Sequence, residues 1–136
     1  MEPKIIRKIG FAIFKDKKIM MVRSHKNAEV FYLVGGKFEE GENDEECLVR
    51  ETKEEIGIDV NPETLKFLTE FNGPADGKEN TLLNMRFYTG EYINESVPSR
   101  EIAELGYFDS NSDPKHISVI AREQIMPWLL ENGYIN

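Results

Sequence analysis

The chain has a single cysteine, Cys47, among its 136 residues. One thiol cannot close an internal disulfide and excludes any all-cysteine metal centre, which agrees with a reducing compartment. An excess of positive charge is also missing: 25 acidic residues face 17 basic ones, a formal charge of −8. Such a surface repels a phosphate backbone, so polymeric nucleic acid is not an expected partner. A small phosphorylated ligand is compatible with it, provided a divalent cation stands between ligand and acidic site. No run of about 18 apolar residues occurs, and Met1-Glu2-Pro3-Lys4 lacks the charged-then-apolar layout of a secretory signal. The expectation is a cytoplasmic protein with no membrane partner. Repeats, low-complexity tracts and Pro- or Ser-rich linkers are absent too, so residues 1–136 read as one domain.

What is present suits a packed core. Hydrophobic residues make up 40% of the chain, with 8 Phe, 5 Tyr and 1 Trp, and a domain of this length buries roughly two thirds of its unfolded surface. Lys4–Phe14 and Lys18–Arg23 read as two strands around the polar turn Lys15-Asp16-Lys17. After a polar loop at Ser24–Glu29, Val30–Val34 reads as a short strand ended by Gly35-Gly36. Asp44 is placed to cap a helix running to about Ile56, with Gly57 just beyond its end. Thr64–Phe71, Thr81–Tyr92 and Ile102–Phe108 have strand character, separated by Asn72-Gly73-Pro74, Asp76-Gly77 and Pro98-Ser99. Ile117–Glu131 carries apolar residues at helical spacing, with Pro127 expected to kink or restart the helix. Strands, helix, strands, helix is the order of a layered fold with helices on a mixed sheet.

The chemistry concentrates on the first helix. At about 100° per residue, Glu51, Glu54 and Glu55 share one arc and are expected to converge on one point. Val49, Thr52 and Ile56 form the neighbouring arc, expected to pack on the sheet, while Lys53 faces away. Carboxylates three and four residues apart repel on an ordinary helix, a conflict that a hard divalent cation removes. Mg²⁺ takes oxygen ligands and bridges carboxylates to phosphates, and Mn²⁺ fits the same cage. The preceding loop, Gly35-Gly36-Lys37-Phe38-Glu39-Glu40-Gly41-Glu42, adds paired glycines, a lysine able to meet a phosphate, and Glu42 as a partner for Arg50.

Gly36 to Ile58, 23 residues, resembles the Nudix box, G-x5-E-x7-R-E-U-x-E-E-x-G-U, where U is bulky and apolar. Gly36, Glu42, Arg50, Glu51, Glu54, Glu55, Gly57 and Ile58 match. Thr52 departs from the usual aliphatic residue, and Val34 stands where many relatives have proline. The resemblance implies an α/β/α sandwich with a central mixed sheet. It further implies that Glu51, Glu54 and Glu55 bind the cations, joined by the Gly36 carbonyl, and that Arg50 orients them. The implied reaction is attack of metal-activated water on a phosphorus of a nucleoside diphosphate linked to a group X. A glutamate not fully engaged with metal takes the proton, with Glu55 ahead of Glu54 and Glu101 as a later-loop alternative. Glu42 and Gly57 are structural, and Lys37 and Arg23 are candidate phosphate contacts.

Among substrates, a nucleoside triphosphate cleaved to monophosphate and pyrophosphate, as by MutT-type members, is the first expectation. ADP-ribose, a nucleotide sugar or a dinucleoside polyphosphate is the second, and a nucleotide-binding module without catalysis is the reading of a different class. A homodimer is a further expectation from the family. His25 and His116 read as surface residues, Cys47 as a small buried residue, and Tyr32, Phe87 and Tyr107 as core aromatics with a lesser claim to stacking on a base.

Overall fold

The computed structural model describes residues 2–26, 29–75 and 77–136. Part of the expected Ser24–Glu29 loop and Asp76 of the expected Asp76-Gly77 turn lie outside the described residues. The first hairpin forms from β1 (Lys4–Ala12), β2 (Phe14–Lys15) and β3 (Lys18–Ser24). Asp16 and Lys17 both take positive φ, 52° and 60°, the left-handed pair that matches a two-residue turn to strand twist. The expected Val30–Val34 strand shortens to β4 (Tyr32–Leu33), because the chain then crosses between sheets and continues as β5 (Gly35–Lys37). Val34 is the crossing residue: fully buried, its carbonyl accepts the Phe11 N–H at 2.8 Å.

The helix α1 (Asp44–Ile56) begins one residue earlier in its capping than expected. Asn43, not Asp44, is the cap, its side chain accepting the Glu46 N–H while the Glu46 carboxylate accepts the Asn43 N–H. This reciprocal pair satisfies two otherwise orphaned donors. Asp44 instead accepts from Arg86 Nε at 2.5 Å and from the Tyr88 hydroxyl. Arg86 also donates to Glu70 at 2.7 Å and lies over the Phe67 ring. At the far end Gly57, φ 71°, donates its N–H to the Lys53 carbonyl, the left-handed stop that only glycine takes without strain. The buried face is Cys47, Leu48, Thr52 and Ile56, with Leu48 in place of the expected Val49. Thr52 is fully enclosed and its hydroxyl donates to the Leu48 carbonyl at 2.8 Å, so its polar atom is satisfied within the helix.

Downstream come β6 (Asp59–Val60), β7 (Lys66–Pro74), β8 (Thr81–Thr89), β9 (Tyr92–Ile93) and β10 (Ile102–Phe108). Asn72-Gly73-Pro74, expected as a turn, continues β7, because each of the three pairs in register with β8. The Thr81–Tyr92 run breaks at Gly90, and Tyr92–Ile93 pairs with β6 instead. The C-terminal helix is not one kinked α-helix. Ala121–Ile125 is a π-helical segment leading into α2 (Met126–Glu131), with Pro127 in the first turn of α2. A proline has no N–H to donate, and the wider turn lies directly upstream of it.

One sheet has the order β5-β1-β8-β7, with β1 parallel to β8 and the other pairs antiparallel. The second is β10-β3-β2, with β4 on β3. On one side Cys47, Leu48 and Ile56 of α1 pack with Ile9, Phe11, Met20 and Val22. On the other, Ile120, Ala121, Ile125 and Leu129 pack with Ile6, Ile19, Met21 and Phe87. Strands thus lie between two helical layers, the expected sandwich of mixed α and β structure. Among the described residues no helix is long and apolar enough to cross a membrane.

Candidate active site

The site lies where β5 runs beside β1 under α1. Gly36 is in register with Ile9, and Gly35 with Gly10. A Cβ on Gly35, whose φ is 144°, would overlap the Ile9 carbonyl, and a Cβ on Gly36 would overlap the Glu51 carboxylate. The two glycines are therefore needed for contact: the loop lies flat on β1, and a helix carboxylate rests on its backbone.

Arg50 organises the carboxylates. Its Nε and Nη2 grip Glu42 in a fork at 2.6 and 2.8 Å, Nη1 donates to Glu51 at 2.7 Å and Glu54 at 3.1 Å, and Nη2 also reaches the Lys37 carbonyl at 3.0 Å. Glu42 in turn accepts the Glu39 N–H at 2.8 Å. The Arg50 guanidinium, followed by that N–H, holds the Glu42 carboxyl down at about 2. Arg50 is shifted upwards, chiefly by its bonds to Glu42.

Glu55 points inward and accepts the Gly35 N–H at 2.9 Å. Burial, reinforced by Glu51 and opposed by that N–H, pushes its carboxyl up to about 7. Burial also raises Glu51, against the pull of Arg50. Glu54 does not join them: its side chain is 60% exposed, against 18% for Glu51, and it is turned towards Arg50. The three side chains share one arc of α1, but the expected convergence on one point does not occur: Glu51 and Glu55 form a pair and Glu54 stands at the rim. Among the described residues no three His, Cys, Asp or Glu side chains are already gathered around one point.

These two carboxylates line a cleft of about 450 Å³ together with Gly36, Lys37, Lys8 and Tyr32. The apolar side chains Leu83, Met85, Ile120 and Ile125 line it as well. The donor set suits a hard divalent cation. Two oxygen ligands lie side by side over a glycine backbone, and the buried Glu55 carboxyl resists ionisation until positive charge arrives.

The other expected residues fall in different places. Arg23 is not among the residues lining the cleft. It is paired with Glu104 at 2.9 Å and stacked over Phe31. Glu101 is exposed, but its carbonyl accepts the His25 N–H and its charge reaches Tyr32 and Glu55. Phe87 is fully buried core and Tyr107 packs in the other cluster, so of the three aromatics only Tyr32 faces the cleft. Burial pushes the Cys47 thiol up to about 12, as expected of a packing residue rather than a nucleophile. His25 and His116 are exposed. The residue missed in the sequence is Lys8, although a lysine at a core-facing position of an apolar strand was there to be read.

The NUDIX domain model matches residues 5–129. Two curated proteins named ADP-ribose pyrophosphatase are similar. One, from Methanocaldococcus jannaschii, is 31% identical over 76% of this chain and 61% of its own length. The other, from Haemophilus influenzae, is 31% identical over 83% of this chain and 48% of its own length. The chain thus spans roughly half to three fifths of these relatives. In fold it is similar to the solved MutT protein of Methanosarcina mazei, with a TM-score of 0.77 and 18% identity over 97% of this chain and 98% of that one. With the box residues assembled as described, the chain belongs to the Nudix hydrolase family.

Proposed function

We propose that the chain is a divalent-cation-dependent pyrophosphohydrolase that cleaves the diphosphate of a nucleoside diphosphate linked to X, with ADP-ribose-type substrates first. The observation that carries this reading is the pairing of Glu51, packed on Gly36, with the buried Glu55 in one cleft that also holds Lys8 and Lys37. The preference for ADP-ribose over a triphosphate rests on the two relatives of that name. Likeness to a MutT structure at 18% identity speaks to fold alone.

In this reading Glu51, Glu55 and the Gly36 carbonyl would hold the cation, with Glu54 joining from the rim. Mg²⁺ or Mn²⁺ would supply neutralisation of phosphate charge and acidification of water there. Arg50 keeps Glu51 aligned and ties it to Glu42, so helix and loop move as one piece. Glu55 would accept the proton of the attacking water when not fully engaged with metal; Glu101 is the alternative acceptor. Lys37 meets a phosphate oxygen.

The test is hydrolysis of ADP-ribose, nucleotide sugars, diadenosine polyphosphates, NTPs and dNTPs with Mg²⁺, then with EDTA. The expected result is release of AMP and ribose 5-phosphate from ADP-ribose, abolished by EDTA. Faster turnover of dNTPs would return the triphosphate to first place. Inactivity of well-folded protein on every substrate with either metal would favour a binding module.

A further inference from the structure

By the two-residue period of a strand, Ile6, Lys8, Gly10 and Ala12 share one face of β1, and Ile6, Gly10 and Ala12 are buried. Lys8 thus puts an ammonium at a core-facing position, beside Met85 on β8. Its register partner on β5 is Lys37, and like charges directly opposite each other weaken a strand pair. Among the described residues neither lysine makes an ion pair or a side-chain hydrogen bond. The Lys8 ammonium lies 5.8 Å from the Tyr32 ring centre, on the wall of the cleft. Burial, then Lys37, lowers its pKa, while Glu55 and Glu51 act the other way without reaching bonding distance. A half-buried, unpaired cation carries a desolvation cost unless something pairs it. A chain with 25 acidic residues had ample means to supply a partner and has not done so.

We propose that Lys8 is a phosphate-binding residue of the cleft, its ammonium gripping a non-bridging oxygen of the substrate's diphosphate from the β1 wall opposite Glu51 and Glu55. The assignment rests on reading the cleft as a diphosphate site. The competing role is a purely internal one, balancing the charge of Glu55.

The experiment is calorimetric titration of inorganic pyrophosphate into wild type, Lys8→Met and Lys8→Arg at fixed salt in EDTA, with thermal unfolding of each. Met keeps the aliphatic stem and removes the charge. Lys8→Met should bind pyrophosphate about 10- to 100-fold more weakly, Lys8→Arg should recover most of the loss, and the unfolding midpoint of Lys8→Met should equal or exceed wild type. Equal binding by wild type and Lys8→Met, or none by wild type, would overturn the proposal. A lower midpoint with unchanged binding would assign Lys8 to balancing Glu55. If no nucleotide is hydrolysed yet binding drops in Lys8→Met, the hydrolase reading fails and the lysine assignment stands. Metal-dependent turnover with unchanged pyrophosphate binding is the reverse.

Discussion

On the α1 side each carboxylate already has a donor within the chain: Glu51 and Glu55 in the cleft on Arg50 and the Gly35 N–H, and Glu54 at the rim and Glu42 in the preceding loop on Arg50. On the strand wall Lys8 of β1 and Lys37 of β5 face each other, and among the described residues no carboxylate is bonded to either. The helix wall is a scaffold whose charges the chain sets for itself, and the strand wall is left for an anion from outside. Changes on the helix wall should therefore appear in stability as well as turnover, and changes on the strand wall in weaker ligand binding without loss of stability.

Glu55→Gln should have the largest effect and pull the two readouts apart. Turnover should fall by about 10²- to 10³-fold, while the metal-free protein becomes more stable above neutral pH. The folded carboxyl sits near 7, above its ordinary 4.5. The wild-type protein therefore binds the proton more tightly when folded, and its stability falls as pH rises from 4.5 through 7. Denaturant unfolding in EDTA across that window should show the slope in wild type and a flatter line in Glu55→Gln; parallel curves would refute the burial argument.

Arg50→Lys should come next, because an ammonium cannot reproduce the fork on Glu42 together with the bonds to Glu51 and Glu54. We expect kcat/KM to fall by about 10- to 100-fold. The acid side changes as well. Glu42, held at about 2 against an ordinary 4.5, contributes stability that is present above 4.5 and lost as pH falls towards 2. Arg50→Lys should give up part of that contribution and unfold at a higher pH, which circular dichroism during acid titration would register.

Arg23→Ala should have the smallest effect, since Glu104, with which it pairs, and Phe31, over which it stacks, lie outside the cleft. A change in kcat/KM below about threefold is the scale of an exposed ion pair. A tenfold loss would put Arg23 back in contact with substrate.

The legible parts of the molecule were those fixed by local spacing. The azimuth of Glu51, Glu54 and Glu55 on α1, the glycine stop at Gly57 and the Glu42–Arg50 pair follow from residue intervals along one element. What escaped depended on choices made elsewhere. Helical period gives the direction of a side chain's root but not its rotamer, so the outward turn of Glu54 to Arg50 could not be read. The caps Asn43 and Asp44 are adjacent and both competent, and the choice between them was made by Arg86 and Tyr88 on a strand some forty residues away. Lys8 shows its meaning only once β5 is laid beside β1, and the π-helical segment before Pro127 reflects packing that apolar spacing does not encode.

The grip of Arg86 and Tyr88 on Asp44 makes α1 a keyed shaft. A residue inserted ahead of Glu39 would only lengthen a loop and leave the key engaged. The same residue inserted between Asp44 and Glu51 would rotate everything after it by about 100°, carrying Glu51 off Gly36 and Arg50 away from Glu42. The seven-residue interval from Asp44 to Glu51 is thus a length the chain cannot vary.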